Sequence, residues 1–195
     1  MVRLFLLCVL LASCQGSPGT GVEGKRLGEL VGTTHKGDRF AARDHSAAGA
    51  LVFIAHGNQC PIMRQYYPVI AKLEKRYSER GIPFFLVDAS PQDSPESITK
   101  ELAGYKAESF TVLVDESQEI VKRLGLRITS EAAIVDPRTW KIVYRGAIDD
   151  LITYDVQKTH ARKSYLVDAL EAHLKGKPIA RPRSRAMGCF ITIKS

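Results

Sequence analysis

The sequence predicts an α/β fold: a central mixed sheet flanked by helices, closed by a C-terminal helix and tail. Three observations carry this. Apolar strand-forming runs (Ala50 to Ala55, Pro83 to Asp88, Phe110 to Val114) alternate with amphipathic or capped helical stretches. Two further apolar runs, Ala132 to Val135 and Trp140 to Arg145, flank Asp136-Pro137-Arg138-Thr139, which reads as a hairpin and hence an antiparallel edge. With 195 residues, 45% hydrophobic and 25% charged, the chain has enough apolar side chains to bury a core, which excludes a disordered protein.

Each element has a local reason. ALVFIA is short and uniformly apolar, as a strand buried on both faces should be. After the polar turn His56 to Gln59, Met63, Tyr66, Ile70, Leu73 and Tyr77 recur at three- and four-residue spacing, one face of a helix from Pro61 to Arg80. Pro61 suits the first helical position, Pro68 predicts a kink, and Gly81 predicts the stop. Ser94-Pro95-Glu96 is a helix opening with a capping hydroxyl. Ile120, Val121 and Leu124 predict a short helix ended by Gly125, and Ala161, Tyr165, Leu166, Ala169, Leu170 and Leu174 predict the last helix.

The N-terminus reads as targeting. Met1-Val2-Arg3 is positively charged, and Leu4 to Leu11 is an apolar run too short for a permanent membrane helix. Leu11-Ala12-Ser13-Cys14 resembles the bacterial lipobox, which implies lipidation of Cys14 and loss of Cys8; an ordinary cleaved signal is the alternative. The organisation expected is a signal over residues 1–13, a Gly/Ser/Pro tether over 14–26, the main domain over 27–150, and a C-terminal helix and Cys-containing tail over 151–195. Export to the cell envelope or periplasm follows, with a membrane partner through the lipid. The net charge of +7 is scattered along the chain and does not point to nucleic acid. No phosphate loop or Ser/His/Asp pattern is present, and no cofactor is expected.

Of four cysteines, the folded part then keeps Cys60 and Cys189. In an oxidising compartment they are a natural disulfide candidate. Cys60 lies between a strand and a helix start, where unpaired N–H groups and the helix dipole favour the thiolate, the attacking form. His56, in the same turn, is a candidate assistant. Cys189 follows Gly188 and precedes Phe190, Ile191 and Ile193, apolar residues that a frayed tail would not need. One hypothesis folds this tail back so that Cys189 meets Cys60; an unpaired or intermolecular thiol is the other.

Leu51 to Leu73, LVFIAHGNQCPIMRQYYPVIAKL, resembles the first strand, active-site turn and first helix of thioredoxin-like redoxins, and the resemblance runs from about residue 27 to the C-terminus. Cys60 falls on the first cysteine of their C-P-x-C motif, Pro61 on its proline, Met63 on the second cysteine and Pro68 on the kink proline. Asp88 to Ser94, Tyr144 to Asp150 and Gly188-Cys189 resemble a bacterial redoxin group related to the thiol peroxidases. The resemblance implies a thioredoxin-like fold and thiol-disulfide exchange on protein or small-molecule substrates, with Cys60 as nucleophile; on the hypothesis of a folded-back tail, Cys189 is the resolving partner.

Two departures stand out. Ser130 occupies the position of the thioredoxin cis-proline, and since a cis bond before a non-proline costs about 3 kcal/mol, a trans peptide is expected. Gly57 replaces the hydroxyl residue that peroxiredoxins place three residues before their cysteine. Three alternatives stay open: Cu(I) binding by Cys60 with Met63 or Cys189, a one-cysteine thiol peroxidase, and a non-catalytic thioredoxin-like module. Met63 is otherwise core, and the Arg145 to Asp150 run is read as structural.

Overall fold

A computed structural model describes residue 24 and residues 26–194; the signal and most of the tether lie outside the described residues. The strands are β1 (Val31–Thr34), β2 (Arg39–Ala41), β3 (Leu51–His56), β4 (Phe84–Asp88), β5 (Val112–Val114), β6 (Ala132–Asp136) and β7 (Lys141–Gly146). The helices are α1 (Pro61–Ser78), α2 (Pro95–Gly104), α3 (Glu119–Leu124) and α4 (Tyr165–Leu174). One seven-stranded sheet has the order β2-β1-β5-β4-β3-β6-β7. Strands β3, β4 and β5 run parallel and the other pairings are antiparallel.

The sheet divides the core because successive strand side chains point to opposite faces. On β3, Val52 and Ile54 join the layer containing α1, α2 and α4, through Met63, Tyr66, Ile70, Leu102, Leu166 and Leu170. Leu51, Phe53 and Ala55 join the opposite layer with α3, Leu30, Phe40 and Trp140. Phe40, Phe53 and Phe85 meet there with ring centroids 4.8 to 6.3 Å apart. Helix α4 packs in the same core cluster as α1.

Local chemistry explains the boundaries. Helix α1 continues through Pro68, which is exposed, and ends at Ser78. Gly81, at φ 68°, lets the Ile82 N–H close back on the Tyr77 carbonyl. The Ser94 hydroxyl and Ser97 form a capping box at the start of α2. Gly125, at φ 70°, ends α3 with the same six-to-one closure, from Leu126 to Val121.

Two expectations need correction. Helix α4 begins at Tyr165, after Ala161, because the Asp150 carboxylate binds the Arg162 and Lys163 N–H groups and the Lys158 ammonium, holding that segment as a loop. The β1–β2 hairpin was not anticipated. Its strands are four and three residues long and carry polar residues, so no apolar alternation marks them, although the Thr34 to Asp38 turn with Gly37 at φ 88° has turn chemistry.

Candidate active site

Cys60 caps the N-terminus of α1, immediately after the β3 turn, with extended backbone angles. The turn is held from outside. Gln59 adopts φ 59° and donates its N–H to Glu101 on α2, while Arg64 on the first turn of α1 grips the same carboxylate with two bonds of 2.8 and 2.9 Å. Glu101 thereby fixes the residue before Cys60 to the helix that follows it.

The tail returns over this turn. Arg183 bridges Arg145 beside β7, Phe190 bridges Ile128, and the Ile191 N–H bonds the Arg127 carbonyl. Ile191 and Ile193 pack on the second core layer. Phe190, expected to dock with them, instead points outward and is 80% exposed. The reason is the period of an extended chain: 189, 191 and 193 share one side and 190 takes the other. Gln118 also holds the tail, donating to the Thr192 carbonyl and accepting the Lys194 N–H.

This return brings together residues 129 positions apart: Cys189 Sγ lies 2.7 Å from Cys60 Sγ, both as free thiols. Thr129 stands between chain and tail. Its hydroxyl is 3.0 Å from Cys60 Sγ and accepts the Cys189 N–H at 2.9 Å, while its own N–H donates to the Cys189 carbonyl. Ser130, at φ 66°, donates its N–H to Ala55 and its hydroxyl to the Met187 carbonyl. A proline here would lack both donors. No cis peptide occurs among the described residues, as expected for Ser130.

The electrostatics separate the two thiols. Burial pushes the Cys60 pKa up, but the Cys189 thiol, the Thr129 hydroxyl and the Met63 and Cys189 N–H groups outweigh it and bring it below the ordinary value. Burial and the bond to Cys60 push Cys189 up to about 11. Of the two thiols, Cys60 is the one whose surroundings favour ionisation and Cys189 the one whose surroundings oppose it. Thr129→Val should move the Cys60 titration midpoint upward, because the thiolate loses a hydroxyl contact; the pH dependence of its alkylation rate checks this. An unchanged midpoint would remove Thr129 from the activation.

His56 differs from its expected place. It is the last residue of β3, paired with Asp88 in the parallel ladder and buried, because the strand extends one pair further than the apolar run. Its Nδ1 is 2.7 Å from Asp88 and its Nε2 is 2.8 Å from the Tyr67 hydroxyl. With both ring nitrogens engaged, it walls the site rather than bonding Cys60. Asp93 lies at the same cavity and accepts the Asn58 N–H. Burial, then the Asp88 charge, raises its pKa.

The Cys60–Cys189 pair borders a cavity of about 430 Å³, whose wall includes Asn58, Gln59, Ser90, Gln92 and Asp93. Met63 is fully buried with Tyr66 and Ile70, which accounts for it as packing. No cluster of three or more His, Cys, Asp or Glu suited to a metal occurs among the described residues. The Arg145 to Asp150 run is structural: Asp149 accepts the Tyr66 hydroxyl and Asp150 organises the loop before α4. Thr129 and Glu101 were not singled out from sequence, and Asp88 and Gly188 entered only within stretches that resemble the redoxin group, with no role of their own. Only Thr129 had a usable signal, its place just before the residue that replaces the cis-proline.

A helix-start thiol at the end of one mixed sheet with helices on both faces, and a second thiol in contact with it, is the arrangement of a thioredoxin-fold dithiol protein. The match of residues 23–169 to the Redoxin family model covers most of the chain, and the chain belongs to the Redoxin family. Among solved structures, a hypothetical protein from Sinorhizobium meliloti 1021 is similar at 25% identity and a TM-score of 0.75, covering 87% of this chain and 93% of that one. An uncharacterized conserved protein from Geobacillus kaustophilus is similar at 26% and 0.74, covering 88% and 92%. The thioredoxin domain of a thiol-disulfide oxidoreductase from Bacteroides vulgatus shares the fold at 17% and 0.53, covering 63% and 86%. No curated protein sequence matches the chain. No helix among the described residues is long and apolar enough to cross a membrane.

Proposed function

We propose that this protein is a thiol-disulfide oxidoreductase in which Cys60 is the nucleophile and Cys189 the resolving thiol. The observation that carries the reading is the 2.7 Å approach of the two sulfurs, with the lowered pKa on Cys60. The Cys60 thiolate attacks one sulfur of a substrate disulfide, and the other leaves as a thiol. Cys189 then gives up its proton, attacks Cys60 Sγ and releases the second substrate thiol, leaving a Cys60–Cys189 disulfide. Because Cys60 is only 3% exposed and is reached through a cavity of about 430 Å³, the reading favours small-molecule disulfides over folded protein substrates.

The lipobox resemblance at Cys14 supports export and a lipid anchor, which would hold the dithiol at a membrane surface of the cell envelope, an oxidising setting in which the pair can cycle. Peptide mapping of the non-reduced protein after mild oxidation tests the pair and should find one Cys60–Cys189 crosslink. Cys189→Ser should accumulate a covalent Cys60 adduct of hydroxyethyl disulfide. A protein with no crosslink and no adduct is not this enzyme.

A further inference from the structure

The two sulfurs differ in where they stand as much as in acidity. Cys60 is 3% exposed and belongs to the core cluster with Met63 and Tyr66. Cys189 is exposed, next to the outward Phe190. Thiol-disulfide exchange requires the incoming sulfur to reach the sulfur it attacks. Cys189, on the exposed tail, is met by a bulky external thiol before the buried Cys60 is.

We infer that Cys189 is the sulfur through which an external dithiol reductant recharges this protein, so that substrate and reductant enter on different cysteines. The inference rests on the Cys60–Cys189 pair proposed above. A reductant thiolate attacks Cys189 Sγ, the Cys60–Cys189 bond breaks, and Cys60 leaves with the electron pair as a thiolate. The second thiolate of the reductant then attacks the reductant sulfur bound to Cys189. Cys189 leaves and takes up a proton, and the reductant departs as a disulfide. Two electrons pass from the external dithiol to this protein, and two thiols are restored.

Leaving-group chemistry agrees with access. The thiol of lower pKa leaves faster, and the Thr129 hydroxyl and Met63 N–H favour the Cys60 thiolate. Attack on Cys60 would have to expel Cys189, the sulfur whose pKa lies above the ordinary value.

The test uses the oxidised wild-type chain and, as probe, a thioredoxin carrying a single cysteine. Intact mass before mixing shows whether the internal disulfide, two hydrogens lighter, has formed. The mixture is quenched in acid within seconds, alkylated and mapped. The expected product has the probe on Cys189 and the alkyl group on Cys60, in at least tenfold excess over the reverse. A formed disulfide that yields the probe on Cys60, an even mixture, or no adduct overturns the inference and leaves the pair standing. A protein that forms no internal disulfide overturns the pair, and the inference with it.

Discussion

Cys60→Ser reduces turnover of hydroxyethyl disulfide by at least about 10⁴-fold, a loss of the size expected when an enzyme's nucleophile is removed. Serine preserves the shape of the helix cap, so far-UV circular dichroism should be unchanged. What disappears is the thiolate: a hydroxyl at the same position is neither ionised at neutral pH nor able to form the mixed disulfide. Cys189 does not take over. It lies on an extended tail rather than at a helix start, and burial is the largest influence on its pKa, upward. Steady-state reduction of the disulfide with an excess thiol donor is the measurement. A variant that keeps more than about a tenth of the activity would move the nucleophile elsewhere.

Gly188→Ala slows formation of the Cys60–Cys189 disulfide by about 10- to 100-fold, the scale on which a misplaced reacting group loses its proximity advantage. A Cβ at Gly188 would lie 2.1 Å from the Thr129 carbonyl oxygen, 2.7 Å from its hydroxyl and 2.8 Å from Ile128 Cγ2. Two of these atoms belong to the residue that holds Cys189, and the closest is backbone. Relief therefore requires the tail to lift, breaking the Thr129 to Cys189 bonds on both sides. The cost is about 1–3 kcal/mol, typical of overpacking, and it falls on tail docking. Gly104→Ala, where the added methyl meets nothing within 4 Å, should leave the rate unchanged. The readout is the rate of thiol loss under a mild oxidant, alongside alkylation of Cys60 by a bulky maleimide, which should accelerate as the tail lifts. Equal rates in all three proteins would mean that docking does not set the proximity of the pair.

Much of this molecule is legible locally. Strand β3 announces itself as a run buried on both faces, and α1 as a stripe that does bury Met63, Tyr66, Ile70 and Tyr77. Ser94 and Gly125 mark helix ends by chemistry that needs no distant partner. Where the reading fell short, a long-range partner had intervened. The Asp150 carboxylate captured backbone N–H groups that would otherwise have extended α4 toward Ala161. His56, polar in sequence, was drawn into the end of β3 because Asp88 on the neighbouring strand and Tyr67 on α1 satisfy its ring. Buried polar groups are tolerated only when paired, and the pairing is invisible until the sheet is assembled.

The candidate site divides in the same way. That Cys60 would sit at a helix start follows from the strand, the polar turn and Pro61, all within a dozen residues. A local Cys-x-x-Cys pattern would have named the second thiol as well. Met63 stands there instead, and its apolar side chain went to the core. The sequence alone determined the place of Cys60 at a helix start, the helix that follows it and the α/β order that holds it. Only the tertiary structure decided its partner. Cys189 reaches Cys60 because Ser130 retains an N–H and a hydroxyl, Thr129 binds the tail from both sides, and Gly188 has no side chain to keep the two backbones apart. Each of those contacts joins residues about sixty positions apart or more, a distance over which periodicity and spacing carry no information.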